Sequence, residues 1–416
     1  MNVSVVEAAA EILEEVKALP SKLQATCDHG QLRRAVATVG RAATARTTLP
    51  VLAHVLLSSD GNRLRLAATN LETGIVTWVP ASIKTGGQVT VPAKLLGNFL
   101  GAQPAQSGSL SLTQEGDSLA VVVGRSKATF KGIDPEEFPP IPTEARHEYL
   151  IPAEALRRLI GLTAFAAATD ESRPVLTGVH LTLEGDTLAL AAADGFRLSQ
   201  ALSTLQNATQ RENALESLDV IVPAKALQEV ARLLSGHDEE VVLAVTEHET
   251  QLLFRVAGGT SNEPETVLLT RLLEGPFPDL LRIIPKEHET RAIVSRTQLL
   301  AATKLAALFA RDSADQVCLR LDPSPASLPE GDLTGRITVR GSGAEVGELT
   351  GDVDAVVTGN AMTITFASRF VTDVLSKLTT EDVVLDTVGP TSPASLRGSG
   401  LDGFTHVIMP MHVMGG

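Results

Sequence analysis

The sequence predicts an α+β protein of three repeated units, each with two helices packed on antiparallel sheet. Three observations carry this reading. One long stretch returns at a fixed offset, alternating apolar runs are broken by short turns, and helical periodicity flanks each pair of runs. Residues 47–72 (TTLPVLAHVLLSSDGNRLRLAATNLE) return as residues 171–196 (ESRPVLTGVHLTLEGDTLALAAADGF), with Pro50 matching Pro174 at an offset of 124.

Each copy alternates apolar and polar residues, turns at Asp60-Gly61 or Glu184-Gly185, and alternates again, which is the pattern of a β-hairpin. Upstream, QLRRAV (31–36) matches ALRRLI (155–160), again at 124. Downstream, VTVPAKLLGNFL (89–100) matches VIVPAKALQEVARLL (220–234), with Pro92 and Pro223 separated by 131. The unit therefore reads helix, hairpin strands, helix, further strands. Two proline-rich exits, EEFPPIP (136–142) and GPFPDLLRIIP (275–285), end the first two units as linkers, because proline cannot extend a strand ladder. A weaker third copy follows, with helical RTQLLAATKLAALFAR (296–311), alternating QVCLRL and GRITVRG, and FASRFVTDVLSKL (366–378) in the place of the VPAK helices. The expected division is an extension over 1–21 and domains over 22–147, 148–284 and 285–416.

Composition bounds the function. Apolar residues at 44% and charged residues at 20% describe a globular chain, and no run of about 18 apolar residues is present to span a bilayer. The leading segment holds Glu7, Glu11, Glu14 and Glu15 against Lys17, the opposite of a basic targeting signal, so a cytoplasmic location is expected. Its Ile12, Leu13, Val16 and Leu19 fall on one face of a helix. Cys27 and Cys318 stand 291 residues apart, which fits a reducing compartment and argues against thiolate metal sites.

The 35 basic and 49 acidic residues leave a formal charge of −14, which taken globally predicts repulsion from nucleic acid. The charge is segregated, however. Helices expected over 30–45, 92–101, 153–167, 223–234, 296–311 and 367–378 together carry ten net positive charges, leaving −24 on the remainder. Any one helix can favour Lys and Arg for surface reasons alone. Six of six facing a common space would attract phosphate through a few exposed, sequence-independent contacts.

No catalytic constellation stands out. GSGAEVGE (341–348) approximates a dinucleotide loop but has Val346 at the third glycine and lies between strand-like runs, so a polar turn is expected. There is no GxxxxGK[ST], HExxH or GxSxG, the two EHET strings read as loops, and no cofactor or metal is expected. A binding protein fits this better than a hydrolase or transferase acting on nucleotides, which stays open as the alternative.

RTTLPVLAHVLL, LAATNLETGI, VTVPAKLL, DPEEFP, RPVLTGV, AADGFRLS, VIVPAKAL, GPFPDLLRIIP and VIMPM, in this order, closely resemble the bacterial sliding clamps, the beta subunits of DNA polymerase III. The resemblance covers about residues 22–413. It implies three DNA-clamp domains per chain and a head-to-tail homodimer forming a six-domain ring around duplex DNA. Such a ring is a non-catalytic processivity factor that tethers the polymerase alpha subunit, the clamp-loader delta subunit and other proteins carrying a clamp motif. Residues matching the family's DNA contacts are Arg46, Lys94, Arg173 and Lys225.

The same resemblance implies an apolar groove for short peptides at Leu176, Gly195, Phe196, Arg197, Leu198, Pro278, Arg282, Ile283, Val407, Ile408, Met409, Pro410 and Met411. There Met and Leu would supply an adaptable surface, and the arginines would meet a peptide carboxylate or carbonyl. Leu176, Leu198, Val407 and Ile408 read equally well as core. Phe196 stands where the family usually has His, and His412 where it usually has Arg or Lys, which implies a more apolar and less basic groove. Leu308 and Phe309 are the implied dimer contact, packing near residues 124–130 of a partner, although Phe309 reads equally as core.

Overall fold

The computed structural model describes residues 22–45, 47–104, 108–143, 147–205, 217–237, 239–246, 250–258, 265–311, 314–323 and 335–411. The leading segment 1–21, Arg46 and His412 lie outside them. The described residues form two compact units, one from 22–150 and 237–271, the other from 151–236 and 272–411. Six helices and 24 strands are described: α1 His29–Val39, α2 Ala93–Ala102, α3 Ala153–Thr163, α4 Ala224–Leu233, α5 Arg296–Phe309 and α6 Ser368–Lys377. Their order is strand, helix, four strands, helix, three strands, three times over. The third copy follows this order despite its weaker sequence match.

The hairpins form where the glycines predict. His54–Asp60 pairs with Arg63–Thr69 and Gly178–Glu184 with Thr187–Ala193. Gly61 and Gly185 take φ of +56° and +55° at the turns, a region costly for residues with a Cβ. The GSGAEVGE segment is likewise a turn between paired strands, with Gly343 opposite Gly347.

Helices α2, α3 and α4 each begin directly after a strand-ending proline: Pro92, Pro152 or Pro223. Proline suits this position because its fixed φ leads into a helix and the missing N–H has no ladder partner to lose. Helix α1 is capped instead by Asp28, whose Oδ1 accepts a bond from the Gln31 N–H at 2.8 Å.

The expected helices are trimmed at their ends. Helix α1 stops at Val39, after which Arg41, Ala42 and Ala43 donate to carbonyls three residues back. Helix α3 ends at Thr163 and continues as a short 3₁₀ turn over Ala164–Ala166, and α5 ends at Phe309. Arg41 and Arg311 therefore lie beyond α1 and α5, and the helices carry eight net positive charges rather than ten.

The first proline-rich exit is more than a linker. Phe138 and Ile141 bury themselves in a cluster with Val51, Leu52, Trp78, Leu253 and Val267. Proline stops the ladder there, while the apolar residues between prolines still seek burial. Trp78 completes this corner by donating its Nε1–H to Asp60 Oδ2 at 2.7 Å, with the Arg63 guanidinium 5.4 Å above its ring.

One sheet join recurs. In the first unit the strand Thr73–Thr85 pairs antiparallel with Thr266–Arg271, bringing the last strand of the second repeat onto the first. In the second unit Arg197–Thr204 pairs antiparallel with Phe404–Ile408, bringing the last strand of the third repeat onto the second. Each join uses the same two strands of the repeat.

Gly341, in the strand Gly335–Gly343, lies where a Cβ would collide with the Ala306 carbonyl of α5. Gly341→Ala is expected to destabilise this packing by about 1–3 kcal/mol, read by calorimetry as a lower melting temperature.

Candidate functional site

The second join assembles the predicted groove residues. Arg197 lies opposite Ile408 and Leu198 opposite Val407, and the Met409 N–H donates to the Phe196 carbonyl at 2.8 Å. Leu198 and Val407 pack with Ala193 in a buried cluster against Ile284. Leu176 and Ile408 are buried as well, so all four residues that also read as core are buried in the structure. Nearby in sequence to these candidates, Phe196 is 60% exposed, Ile283 45% and Met409 38%. Phe196 and Met409, joined through their backbones, put two exposed apolar side chains side by side, which is more telling than an isolated exposed leucine.

The remaining groove candidates are distributed around this pair. Pro278 shares a cleft with Leu198, flanked by Phe277, whose ring stacks on His180 at 4.9 Å. Arg282 and Ile283 stand on the turn Leu280–Ile283, and the Arg282 Nε donates to Asp279 Oδ2 at 2.8 Å. Pro410 is half-buried, and Met411 is anchored by its N–H to the Thr365 carbonyl at 2.8 Å. Gly195 takes φ of +92°, and a Cβ there would stand 3.4 Å from Arg173 Nη2, so the Arg173 guanidinium lies against this glycine.

The two groove arginines differ sharply. Arg282 is exposed, whereas the Arg197 side chain is 9% exposed and already committed. Its Nε donates to Asp194 Oδ2 at 3.0 Å, Nη1 to Asp373 Oδ2 at 2.6 Å and Nη2 to the Phe165 carbonyl at 2.9 Å. The Phe370 and Phe165 rings lie 4.7 and 5.5 Å from its centre. A guanidinium sandwiched and bonded in this way is a fixed post under the patch, not a free hand for a ligand carboxylate. Sequence reasoning missed Phe165, Phe370 and Asp373. The one available signal was Asp373, the sole acid in a helix whose other charged residues, Arg369 and Lys377, are basic.

Arg197 also sits near a buried histidine. His406 is fully buried, hydrogen-bonded through Nδ1 to Ser199 Oγ at 2.6 Å and stacked on Phe165 with centroids 5.5 Å apart. Burial first, and the Arg197 charge second, push its pKa from 6.5 down to about 3. A Ser–His contact invites comparison with a nucleophile pair, but Ser199 and His406 are both sealed from solvent and Nε2 has no partner among the described residues.

Of the DNA candidates, Lys94 and Lys225 are the exposed second residues of α2 and α4. Arg173 is exposed on a loop braced by Asp170, which accepts bonds from the Ser172 N–H at 3.0 Å and Oγ–H at 2.8 Å. Those two bonds, ahead of the nearby Arg173 charge, hold the Asp170 carboxyl below its usual pKa. Leu308 of α5 is 54% exposed, while Phe309 is half-buried. Cys27 is buried with its thiol pushed up to about 12, chiefly by burial, so it is unreactive.

The neutral His406 gives a signed prediction. An unfolded chain takes up this proton below about pH 6.5, while the fold refuses it until about pH 3. Stability is therefore full above about pH 6.5 and falls as pH drops toward 3, by about 2 kcal/mol at pH 5. Denaturant titrations of wild type and His406→Asn at pH 7.5 and 5 check this; the variant is expected to lose that share of the pH dependence.

Three family models match in series: the N-terminal domain of the DNA polymerase III beta subunit over residues 23–142, its central domain over 150–279 and its C-terminal domain over 281–412. The beta sliding clamp of Synechococcus elongatus is 30% identical over 394 residues, covering 94% of this chain and all of that one. That of Staphylococcus aureus is 27% identical over 381 residues, covering 89% and 94%. Among solved structures, the DNA polymerase sliding clamp from Pseudomonas aeruginosa is similar with a TM-score of 0.81 at 28% identity, and that from Bacillus subtilis with 0.82 at 24%. Each match covers 94% of this chain and all of the other. With three beta-clamp domains matched along its length, the chain belongs to the beta sliding clamp family, the non-catalytic beta subunit of DNA polymerase III in DNA replication.

Proposed function

We propose that two copies of this chain close head to tail into a six-domain ring that encircles duplex DNA without sequence preference. The ring would tether the polymerase alpha subunit, the clamp-loader delta subunit and other motif-bearing proteins through the Phe196–Met409 patch. The observation that carries this is the repeated sheet join. Both internal joins consume the last strand of one repeat and the strand equivalent to Thr73–Thr85 of the repeat before it. Among the described residues one copy of each is left over. Ser126–Lys131 ends its sheet, and residues 347–354 of Gly347–Gly359 have a neighbour on one side only. A second chain can supply the missing partner to each, and the rotation that relates repeats then closes. The exposed Leu305 and Leu308 lie on α5, which packs on the same strand Gly347–Gly359.

The domains of this ring are taken as 22–147, 148–284 and 285–416. Inside it the six helices of each chain face the DNA, and Lys94, Arg173, Lys225 and Arg46 are its phosphate contacts. Weak contacts suffice because the ring is held on by closure, and their weakness lets it slide. In the groove, Phe196, Ile283 and Met409 receive the apolar side chains of a peptide over the floor of Leu176, Leu198, Val407 and Ile408. Arg282 is the arginine placed to meet its polar groups, and Gly195, Pro278, Pro410 and Met411 frame the site.

Light scattering over a dilution series tests the ring, which requires a mass of about 87 kDa, twice the 43.7 kDa chain. Retention on nicked circular duplex with loss on linearisation is the expected companion result; a monomer at every concentration removes the ring. For the groove, Phe196→Ala and Met409→Ala are each expected to weaken a clamp-motif peptide by about tenfold without changing the native mass, as read by fluorescence anisotropy.

A further inference from the structure

An apolar groove of about 640 Å³ opens in the first unit between the end of α1 and the start of α2. Small apolar residues wall it, among them Val36, Ala37, Ala53 and Pro92, and Leu95 stands 55% exposed at its edge. One exposed leucine is ordinary, but one that opens on an apolar trough is a place for another apolar chain. Arg41 and Lys94 line the same groove and make it basic.

The chain carries a segment of matching chemistry. Residues 1–21 precede the first described strand and lie before the first family match at residue 23. Ile12, Leu13, Val16 and Leu19 fall on one helical face, while Glu7, Glu11, Glu14 and Glu15 fall on the other with Lys17 as the lone cation. Reach does not limit contact. Twenty-one residues extend up to about 70 Å, against a radius of gyration of about 14 Å for a domain of about 125 residues. The tether also holds the segment at an effective concentration of about a millimolar, an advantage over any free peptide.

We propose that this acidic, amphipathic segment of the chain docks in the α1–α2 groove, its apolar face on Leu95 and Ala37 and its glutamates toward Arg41 and Lys94. Docking stands on the groove and on the segment's chemistry alone. A consequence rests on the clamp reading: carboxylates beside Lys94 would compete there with DNA phosphate, so the segment would loosen DNA contact most at low salt.

Hydrogen exchange on the full chain tests docking. Amides of residues 5–19 are expected to exchange at least tenfold slower than in the isolated peptide, and Leu95→Glu to abolish this while leaving the melting temperature unchanged. Lys94→Glu should reduce the protection through charge alone. Free-peptide exchange in the wild type overturns docking, as does protection that survives Leu95→Glu. Protection that grows with protein concentration also overturns it, because a second copy then holds the segment. The DNA consequence is read separately, with Glu7, Glu11, Glu14 and Glu15 all changed to Gln. About fivefold tighter duplex binding at low salt, vanishing at high salt, upholds competition. Unchanged binding alongside intact wild-type protection upholds docking and removes the competition.

Discussion

Strand pairing between repeats is what the rest of the structure depends on: Thr73–Thr85 takes Thr266–Arg271 as its neighbour, and Arg197–Thr204 takes Phe404–Ile408. A sheet edge presents a row of unsatisfied backbone groups, and a strand from the next repeat both satisfies them and fixes register. Register matters because a slip by one residue would send Leu198 and Val407 outward and their polar neighbours inward. The two joins are locked by different chemistry. The first is plugged by Trp78, Phe138, Ile141 and Val267, a buried apolar cluster. The second places Leu198 and Val407 beside a buried polar set in which Arg197 reaches Asp194 and Asp373 and Ser199 reaches His406. An apolar plug tolerates small repacking, whereas a buried polar set held by directional hydrogen bonds enforces one arrangement. The exposed Phe196 and Met409 are carried on the backbone of that second, more exacting join.

How much of this was legible in the sequence follows from the range over which each signal acts. Repeats, hairpins and helices were legible because offsets, period-two runs and turn glycines are local. Gly61 and Gly185 turn where they were placed, and Pro92 and Pro223 open helices as the VPAK match implied. Helix ends were read less well, since the 3₁₀-type bonds past Val39 and the turn Ala164–Ala166 leave the apolar period intact while changing the backbone. The burial of Phe138 and Ile141 was hidden by the prolines beside them, which announce a loop and say nothing of where its apolar side chains go. The site residues came from resemblance, and their division into floor and surface did not. Nothing local separates buried Leu198 from exposed Phe196. The Arg197–Asp373 and Ser199–His406 contacts span 176 and 207 residues, beyond any periodic signal.

The charge distribution also changes meaning once side chains are in place. The chain is acidic overall, yet all six helices remain net basic within their observed bounds. The acids already counted in that balance are paired within their helices, Glu154 with Arg157 and Glu229 with Arg232, each one turn apart, and of the cations Arg296 donates to the Thr380 and Leu375 carbonyls. Such pairs shorten the reach of the field without changing its sign, and salt at physiological strength screens the remainder within about 8 Å. The helices are therefore suited to a polyanion passing close by and poorly suited to capturing one from a distance.

On the clamp reading, this weakness and the strength of the strand joins are one design. A protein that holds DNA by contact must make each contact strong, and strong contacts fix it in place. A ring that holds DNA by closure shifts the demand to its joins, whose backbone bonds and buried side chains never touch the nucleic acid. Stability then resides in pairs such as Leu198 with Val407 and Ile75 with Leu268. Mobility resides in exposed cations such as Lys94 and Lys225, each the second residue of its helix. Phe196 projects from the strand end whose next residue, Arg197, is bolted into the fold, so the contact surface takes its rigidity from the joint itself.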